Sequence, residues 1–486
     1  MFTVRGGACL AMPNRRESDM DEIIRWSAVE TAKALAKGDV KVAEVTRAHL
    51  DRVADCEPGL RAVVDPLDEA AMAQAEEMDA NRPKDLPALW GLPVTIKTNV
   101  DFEGHTNPNG IPALNEAICE RDAPVVRNMR AGGAVVIGRT STPEFSLRFF
   151  TSNPIWGRTL NPWDKGLTSG GSSGGASSAV ACGMGVMAHG NDLGGSLRYP
   201  AYCVGGATLR PSMGRVPAFN PSAPAERPPL LQSMSVQGVI ARSMGDVRLS
   251  YDVLRRRSSD DPLWNAAPDS GRAREDSPRR VGWCVDPFGD GVDSDVARAV
   301  EAAVGAAKQA GYEPVEVTPP MAAEAAQTWG LLLNTEIKVM MLESIRKMGS
   351  EAVNGLIDTM LELYPPQDVA GLLQAQARRL TIQREWARMF DYVDALIMPV
   401  SSLPPMRADQ DFEEPESVPG IMKAQRFMHV GNLLGLPAAT VRTLDAAPIP
   451  LGVQVVGDRM DDVICLDVAE AIERELALDL GPIDPR

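Results

Sequence analysis

The sequence predicts an α/β protein, on two observations. Short apolar runs bounded by glycine or proline read as buried strands: LPVTI before Lys97, AVVIG at 134–138, VGWCV at 281–285, ALIMPV at 395–400 and GVQVVG at 452–457. Stretches of helical character separate them, which is the α/β pattern. The chain has 486 residues, 44% of them hydrophobic, enough for a large core.

Taken in order, residues 1–19 read as a loose tail, with Met12 or Met20 as alternative translation starts. That tail lacks the continuous apolar core of a signal peptide. Asp19, Asp21 and Glu22 give an acidic start to a helix through Ile23, Ile24, Trp26, Val29 and Leu35. Val42, Val45, His49 and Val53 fall on one face of a second helix, with His49 a packed or interfacial residue. The polar, proline-bearing stretch 255–280 reads as a surface connection inside one globular body spanning 20–486. Residues 296–391 read as largely helical. Met340, Met341, Met348 and Met360 there are either helix packing or an adaptable wall over an apolar pocket.

Charge and cysteine usage exclude several classes. The formal net charge of −16 repels nucleic acid and anionic membranes, so neither is an expected partner. No apolar run approaches the ~20 residues of a membrane span. The seven cysteines (Cys9, Cys56, Cys119, Cys182, Cys203, Cys284 and Cys465) are scattered, with no CxxC pair. That argues against a zinc site or a disulfide framework and fits a reducing cytoplasm.

The stretch KGLTSGGSSGGASSAVACGMGVMAHGNDLGGSLRYPA, 165–201, carries the chemistry. A linker would stay polar, yet these glycines lead into ASSAVACGMGVMA, small and apolar residues suited to a tightly packed buried helix. A phosphate loop needs GxxxxGK[ST], and no lysine follows the glycines. The GxGxxG spacing of a dinucleotide fold is absent. A nucleophile fits better. Ser172 in GGSSGG and Ser196 in NDLGGSLR sit inside glycine clusters, where backbone N–H groups can face a cavity. The amides of Leu193, Gly194, Gly195 and Ser196 are candidate donors to an oxyanion. No histidine–acid pair stands in a triad context and the GxSxG elbow is missing. Lys97 ends an apolar strand, and desolvation there would make it a usable base.

These blocks resemble the amidase signature family, hydrolases with a serine–cis-serine–lysine triad. The resemblance rests on SGGSSGG (169–175), HGNDLGGSLRYPA (189–201) and GLPVTIKTN (91–99). It extends through APVVRNMRAGGAVVIGRTSTPEFS, SNPIWGRTLNPW, LRPSMGRVP, NLLGLPAATV and PLGVQVVGDRMDD. The signature core is about 91–217, and 296–391 is the more variable part. The resemblance implies a large mixed twisted β-sheet flanked by helices on both faces. It implies Ser196 as the acyl-forming nucleophile, Ser172 as the bridging serine after a cis peptide, and Lys97 as the base. Ser172 rather than Ser173 matches because it stands 24 residues before Ser196, as in the family.

It further implies an amidase without cofactor or metal, acting on a small amide and often a homodimer. Asp192, Arg198 and Ser173 would support the loop bearing Ser196. His189 and Tyr199 would pack beside it. By position, Asn107, Phe145, Phe149, Phe150, Thr151 and Trp156 are the candidates to line the substrate site, and the aromatics favour an apolar or aryl acyl group. Three departures from the family pattern stand out: Thr98 in KTN for KDN, Asn191 in GND for GTD, and RPSMG at 210–214 for KPTxG. None is expected to touch the triad. Arg210 is expected to keep its charge and hold an ion pair or a helix end. The alternatives are a glutaminase-type amidotransferase component working with partner chains, or a non-catalytic binding protein on the same fold.

Overall fold

The computed structural model describes residues 22–269, 279–445 and 449–486. The expected N-terminal tail, Cys9 and the middle of the 255–280 connection lie outside the described residues. The strands are β1 (Val63–Pro66), β2 (Pro93–Lys97), β3 (Val135–Thr140), β4 (Ser152–Asn153), β5 (Gly157–Arg158), β6 (Met187–Asp192), β7 (Ala207–Arg210), β8 (Val236–Ala241), β9 (Arg280–Trp283), β10 (Glu313–Glu316), β11 (Ala395–Pro399), β12 (Ala438–Leu444) and β13 (Leu451–Gly457). Eleven of them form one sheet in the order β1-β3-β2-β6-β8-β7-β12-β13-β11-β9-β10, and β4 pairs with β5 alone. The β3-β2-β6 and β11-β9-β10 runs are parallel, and the centre from β6 to β11 is antiparallel. The sheet is therefore mixed.

Strand residues alternate between two cores, as the two-residue period requires. In β11, Ala395 and Ile397 join the larger apolar cluster, whereas Leu396 and Met398 join the second. In β13, Val453 and Val455 face the first and Val456 the second. Helices Ser294–Gln309 and Asp462–Leu476 supply the first cluster. Helices Ala322–Glu336, Glu351–Leu363 and Val418–Leu434 supply the second. Both faces are thus covered, which is why the strands read as continuous apolar runs.

Two sequence expectations change. The first helix does not run unbroken through Trp26. It stops there, and Ser27 caps a new helix, Ala28–Lys37, in a reciprocal box with Glu30 at 3.1 and 2.8 Å. The run ASSAVACGMGVMA is not one helix. The helix after the glycines, α1, is Gly174–Ala181, and Met187 and Ala188 already belong to β6. Gly183 and Gly185, both at positive φ, make the turn between them.

The sheet positions the site. β2 and β6 are parallel neighbours, so Lys97 and Asp192 end on the same edge. Ser172 and Ser173 stand immediately before α1. Beyond β6 a short loop carries Ser196 and leads into α2, Arg198–Val204. Two further helices close over that loop: α3, Ala322–Glu336, and α4, Val418–Leu434.

Candidate active site

Lys97 is fully buried, and its ammonium nitrogen has three oxygen neighbours. Nζ lies 2.7 Å from Ser172 Oγ, 3.1 Å from Ser173 Oγ and 2.9 Å from Asn191 Oδ1. Burial pushes its pKa well below the usual lysine value; the charge of Asp192 works in the opposite direction. None of its hydrogen-bond partners is a carboxylate. An amine so held can exist neutral and accept a proton from a hydroxyl. The Gly171–Ser172 peptide is cis.

Exposure rises along the row, from 0% at Lys97 and 1% at Ser172 to 8% at Ser196, so Ser196 is the one that meets solvent or a ligand first. Ser196 stands where two cavities meet. One, of about 240 Å³, is the more polar of the two: Ser172, Asn99, Asn191, Asn220, Arg227 and Gln237 line it together with apolar residues such as Phe145 and Leu231. The other is largely apolar, lined by Phe149, Phe150, Trp329, Leu333, Met360 and Ile421 among others, with the Arg148–Asp411 pair at its wall.

The loop bearing Ser196 is anchored by a buried charge cluster. Burial alone would raise the Asp192 carboxyl, but Arg198, Arg210 and Asn432 hold it well below the ordinary carboxylate range. Arg198 Nε and Nη2 donate to Asp192 at 3.0 and 3.1 Å, and Arg198 also reaches Gln454 Oε1, Asn432 Oδ1 and the Met428 carbonyl. Asp192 Oδ1 accepts the Gly195 N–H at 2.8 Å. That bond corrects one expectation: the Gly195 amide is already taken. Among the described residues, no hydrogen bond occupies the N–H of Leu193, Gly194 or Ser196. Gly195 has a φ of 119°, and a side chain there would overlap the Met428 thioether. Burial lowers Arg210 to about 9, against the pull of Asp192 3.9 Å away, and its guanidinium donates to the Pro211, Met234 and Leu436 carbonyls.

The other expected residues divide. Phe149 and Phe150 line the apolar cavity and Phe145 the polar one. Asn107, Thr151 and Trp156 line neither. Asn107 donates to Asp101 at 2.7 Å. Thr151 Oγ1 bridges the Gly170 carbonyl and the Gly174 N–H beneath the glycine block. The Trp156 N–H is bound to Asn153 Oδ1. The methionines part company: Met360 lines the apolar cavity, Met341 the polar one, and Met340 is half exposed. His49 bonds the Gly183 carbonyl, and His189 bonds Gln237 Oε1. Tyr199 is buried.

Of the three departures, Thr98 bonds the Thr140 carbonyl and leaves Lys97 alone. Asn191 does not: it touches Lys97 directly, against expectation. Trp329, whose Nε1 donates to the Leu193 carbonyl at 3.0 Å, was not singled out from the sequence; it lies 136 residues away in a stretch with no motif. Among the described residues, no cluster of His, Cys, Asp or Glu is placed to hold a metal ion, and no helix is long and apolar enough to cross a membrane.

Comparison with known proteins places the chain in a family. The family model described as Amidase matches residues 44–466. An indoleacetamide hydrolase of Bradyrhizobium diazoefficiens is 42% identical over 452 residues, covering 92% of this chain and 86% of the relative. A glutamyl-tRNA(Gln) amidotransferase component of Koribacter versatilis is 29% identical, over 84% of this chain and 89% of that protein. In fold, the chain superposes on a bacterial aryl acylamidase of the amidase signature family with a TM-score of 0.80, at 23% identity over 93% of this chain and 97% of the other. The chain therefore belongs to the amidase signature family and is an amidase, a hydrolase of carbon–nitrogen bonds.

Proposed function

We propose that this amidase hydrolyses the primary amide of an arylacetamide, of the indoleacetamide kind, to the carboxylate and ammonia through an acyl-enzyme on Ser196. The observation that carries this is the 2.7 Å contact of a fully buried lysine with Ser172, at the wall of a cavity that Ser196 shares. Lys97, neutral, takes a proton through the Ser172 hydroxyl as Ser196 attacks the amide carbonyl. A hydroxyl suits that relay because it donates and accepts without net charge change. The N–H groups of Leu193, Gly194 and Ser196, unoccupied among the described residues, are the donors assigned to the developing oxyanion. The proton returns through Ser172 to the departing ammonia, and water then hydrolyses the ester.

The apolar cavity supports an aryl acyl group, since aromatic and aliphatic walls reward burial of a ring by about 25 cal/mol per Å². The resemblance to an indoleacetamide hydrolase supports the acetamide. Glutamine would bring two charges into that cavity, where Arg148 and Asp411 are already spent on each other at 2.6 Å. The test is intact-protein mass spectrometry during turnover of indole-3-acetamide, phenylacetamide, an aliphatic amide and glutamine, wild type beside Ser196→Ala. An acyl adduct in the wild type alone, strongest with the aryl substrates, is expected. Preferred turnover of glutamine would overturn the substrate assignment.

A further inference from the structure

Lys97 sits among neighbours that differ in kind. The two serine hydroxyls can each donate or accept, but the Asn191 amide oxygen can only accept. Whichever way the hydroxyls turn, one Lys97 N–H must therefore point at Asn191, 2.9 Å away. The neighbouring hydrogen bonds give that amide one consistent orientation. Ser146 Oγ donates to Asn109 Oδ1 at 2.7 Å and so accepts from Asn99 Nδ2 at 2.9 Å. Asn99 Oδ1 then accepts from Asn191 Nδ2 at 3.0 Å, and Asn99 Nδ2 reaches back to Asn191 Oδ1 at 3.2 Å. This reciprocal amide pair leaves Asn191 Oδ1 turned to Lys97.

We propose that Asn191 is a positioning residue for the Lys97 amine, its carbonyl holding one N–H so that the lone pair stays available to the Ser172 hydroxyl. This rests on the assignment of Lys97 as base given above. A neutral amine has two N–H groups and one lone pair. With one N–H committed to Asn191, only the two serines share what remains, and the shorter contact is to Ser172. Without that acceptor the amine turns freely about its last bond, and the lone pair is spent in unproductive directions. An amide also orients the amine without a charge that would favour the ammonium. The charged and titratable groups around Lys97 are consistent with this: Asp192 is engaged by Arg198 and Arg210, and burial lowers His189 to about 4, so it is neutral.

The test compares pH profiles of kcat and kcat/KM for wild type, Asn191→Asp, Asn191→Leu and Asn191→Thr, beside Lys97→Ala. Asn191→Asp has the same shape but sets a carboxylate against Nζ. Its acid limb is expected to move up by about one pH unit or more, with activity recovering at high pH. Asn191→Leu offers no acceptor and is expected to lose about tenfold or more in kcat at every pH, with no upward move of the limb. Asn191→Thr restores an acceptor and should recover part of that loss. A wild-type profile for Asn191→Asp, or wild-type kcat for Asn191→Leu, with Lys97→Ala inactive, overturns the positioning role alone. An active Lys97→Ala overturns the base assignment and this proposal with it. Should Asn191→Leu fail to fold, the limb of Asn191→Asp decides.

Discussion

The indole N–H of Trp329 donates to the Leu193 carbonyl at 3.0 Å, tying α3 to the loop that carries Ser196. The same ring stacks on His429 of α4, centroids 3.8 Å apart, and lies so close to Gly194 that a Cβ there would come within 2.7 Å of it. The loop is thus clamped from the side by a helix outside the signature core. Trp329→Phe keeps the stack and deletes the bond. It should lower kcat roughly tenfold through the loosened loop and cost about 0.5–1.5 kcal/mol of stability. Steady-state kinetics and denaturant unfolding measure the two effects. A loss of stability with unchanged kcat would mean the loop is held without this bond.

Ser196→Ala should abolish turnover, and Lys97→Ala and Ser172→Ala should each lower kcat by orders of magnitude. In the proposed mechanism one proton path joins all three, so the Lys97→Ala/Ser172→Ala double variant should be little worse than either single one. Multiplied losses would mean that the two groups act separately. In the wild type the acid limb of kcat/KM should reflect the neutral form of Lys97, with activity falling as pH drops through its lowered pKa.

Much of this arrangement is legible in the sequence, for a physical reason. β2, β3, β9, β11 and β13 are dense apolar runs because both sheet faces are covered, and that unbroken apolar character, bounded by glycine or proline, announces them. β6 is hidden: MAHGND is short, polar at its end and continuous with a small-residue run that suits a helix. The approach of Lys97 to Ser172 was legible because each sits in a dense local motif. Asn191 and Trp329 were not. The first looks like a neutral replacement until its amide is seen facing Nζ, and the second acts only through tertiary packing. The Gly195 amide shows the converse: its place in the loop suggests a free donor, and the Asp192 carboxylate three residues before it accepts its hydrogen bond.

His429 gives a stability prediction with a definite sign. It is fully buried, and burial lowers it to about 3. The unfolded chain protonates it near pH 6.5, so the unfolded state binds the extra proton below that pH. Its contribution is present above about 6.5 and is lost at about 1.4 kcal/mol per pH unit as pH falls toward its folded value. Glu57 and Glu473, both raised to about 7 by burial, act in the opposite direction over part of that range. The difference between wild type and His429→Phe isolates the histidine. Unfolding free energies at pH 7, 6, 5 and 4 should show the variant gaining on the wild type with each step down. A constant difference would mean that His429 titrates normally in the folded protein.

In the proposed function the two cavities that meet at Ser196 would divide the substrate, and that division can be tested by filling one of them. Met360 lines the apolar cavity alone, away from Lys97 and Ser172. Met360→Trp places a bulky ring where the aryl group of the proposed substrate would lie. A small amide such as propionamide needs none of that space. The variant should therefore lose roughly tenfold or more in kcat/KM for indole-3-acetamide, mostly as a rise in KM, and keep most of its activity on propionamide. The selectivity ratio is the reading that matters, because a general distortion of the loop would lower both substrates together. A ratio unchanged from the wild type would place the aryl group in the polar cavity instead, among Asn220, Arg227 and Gln237.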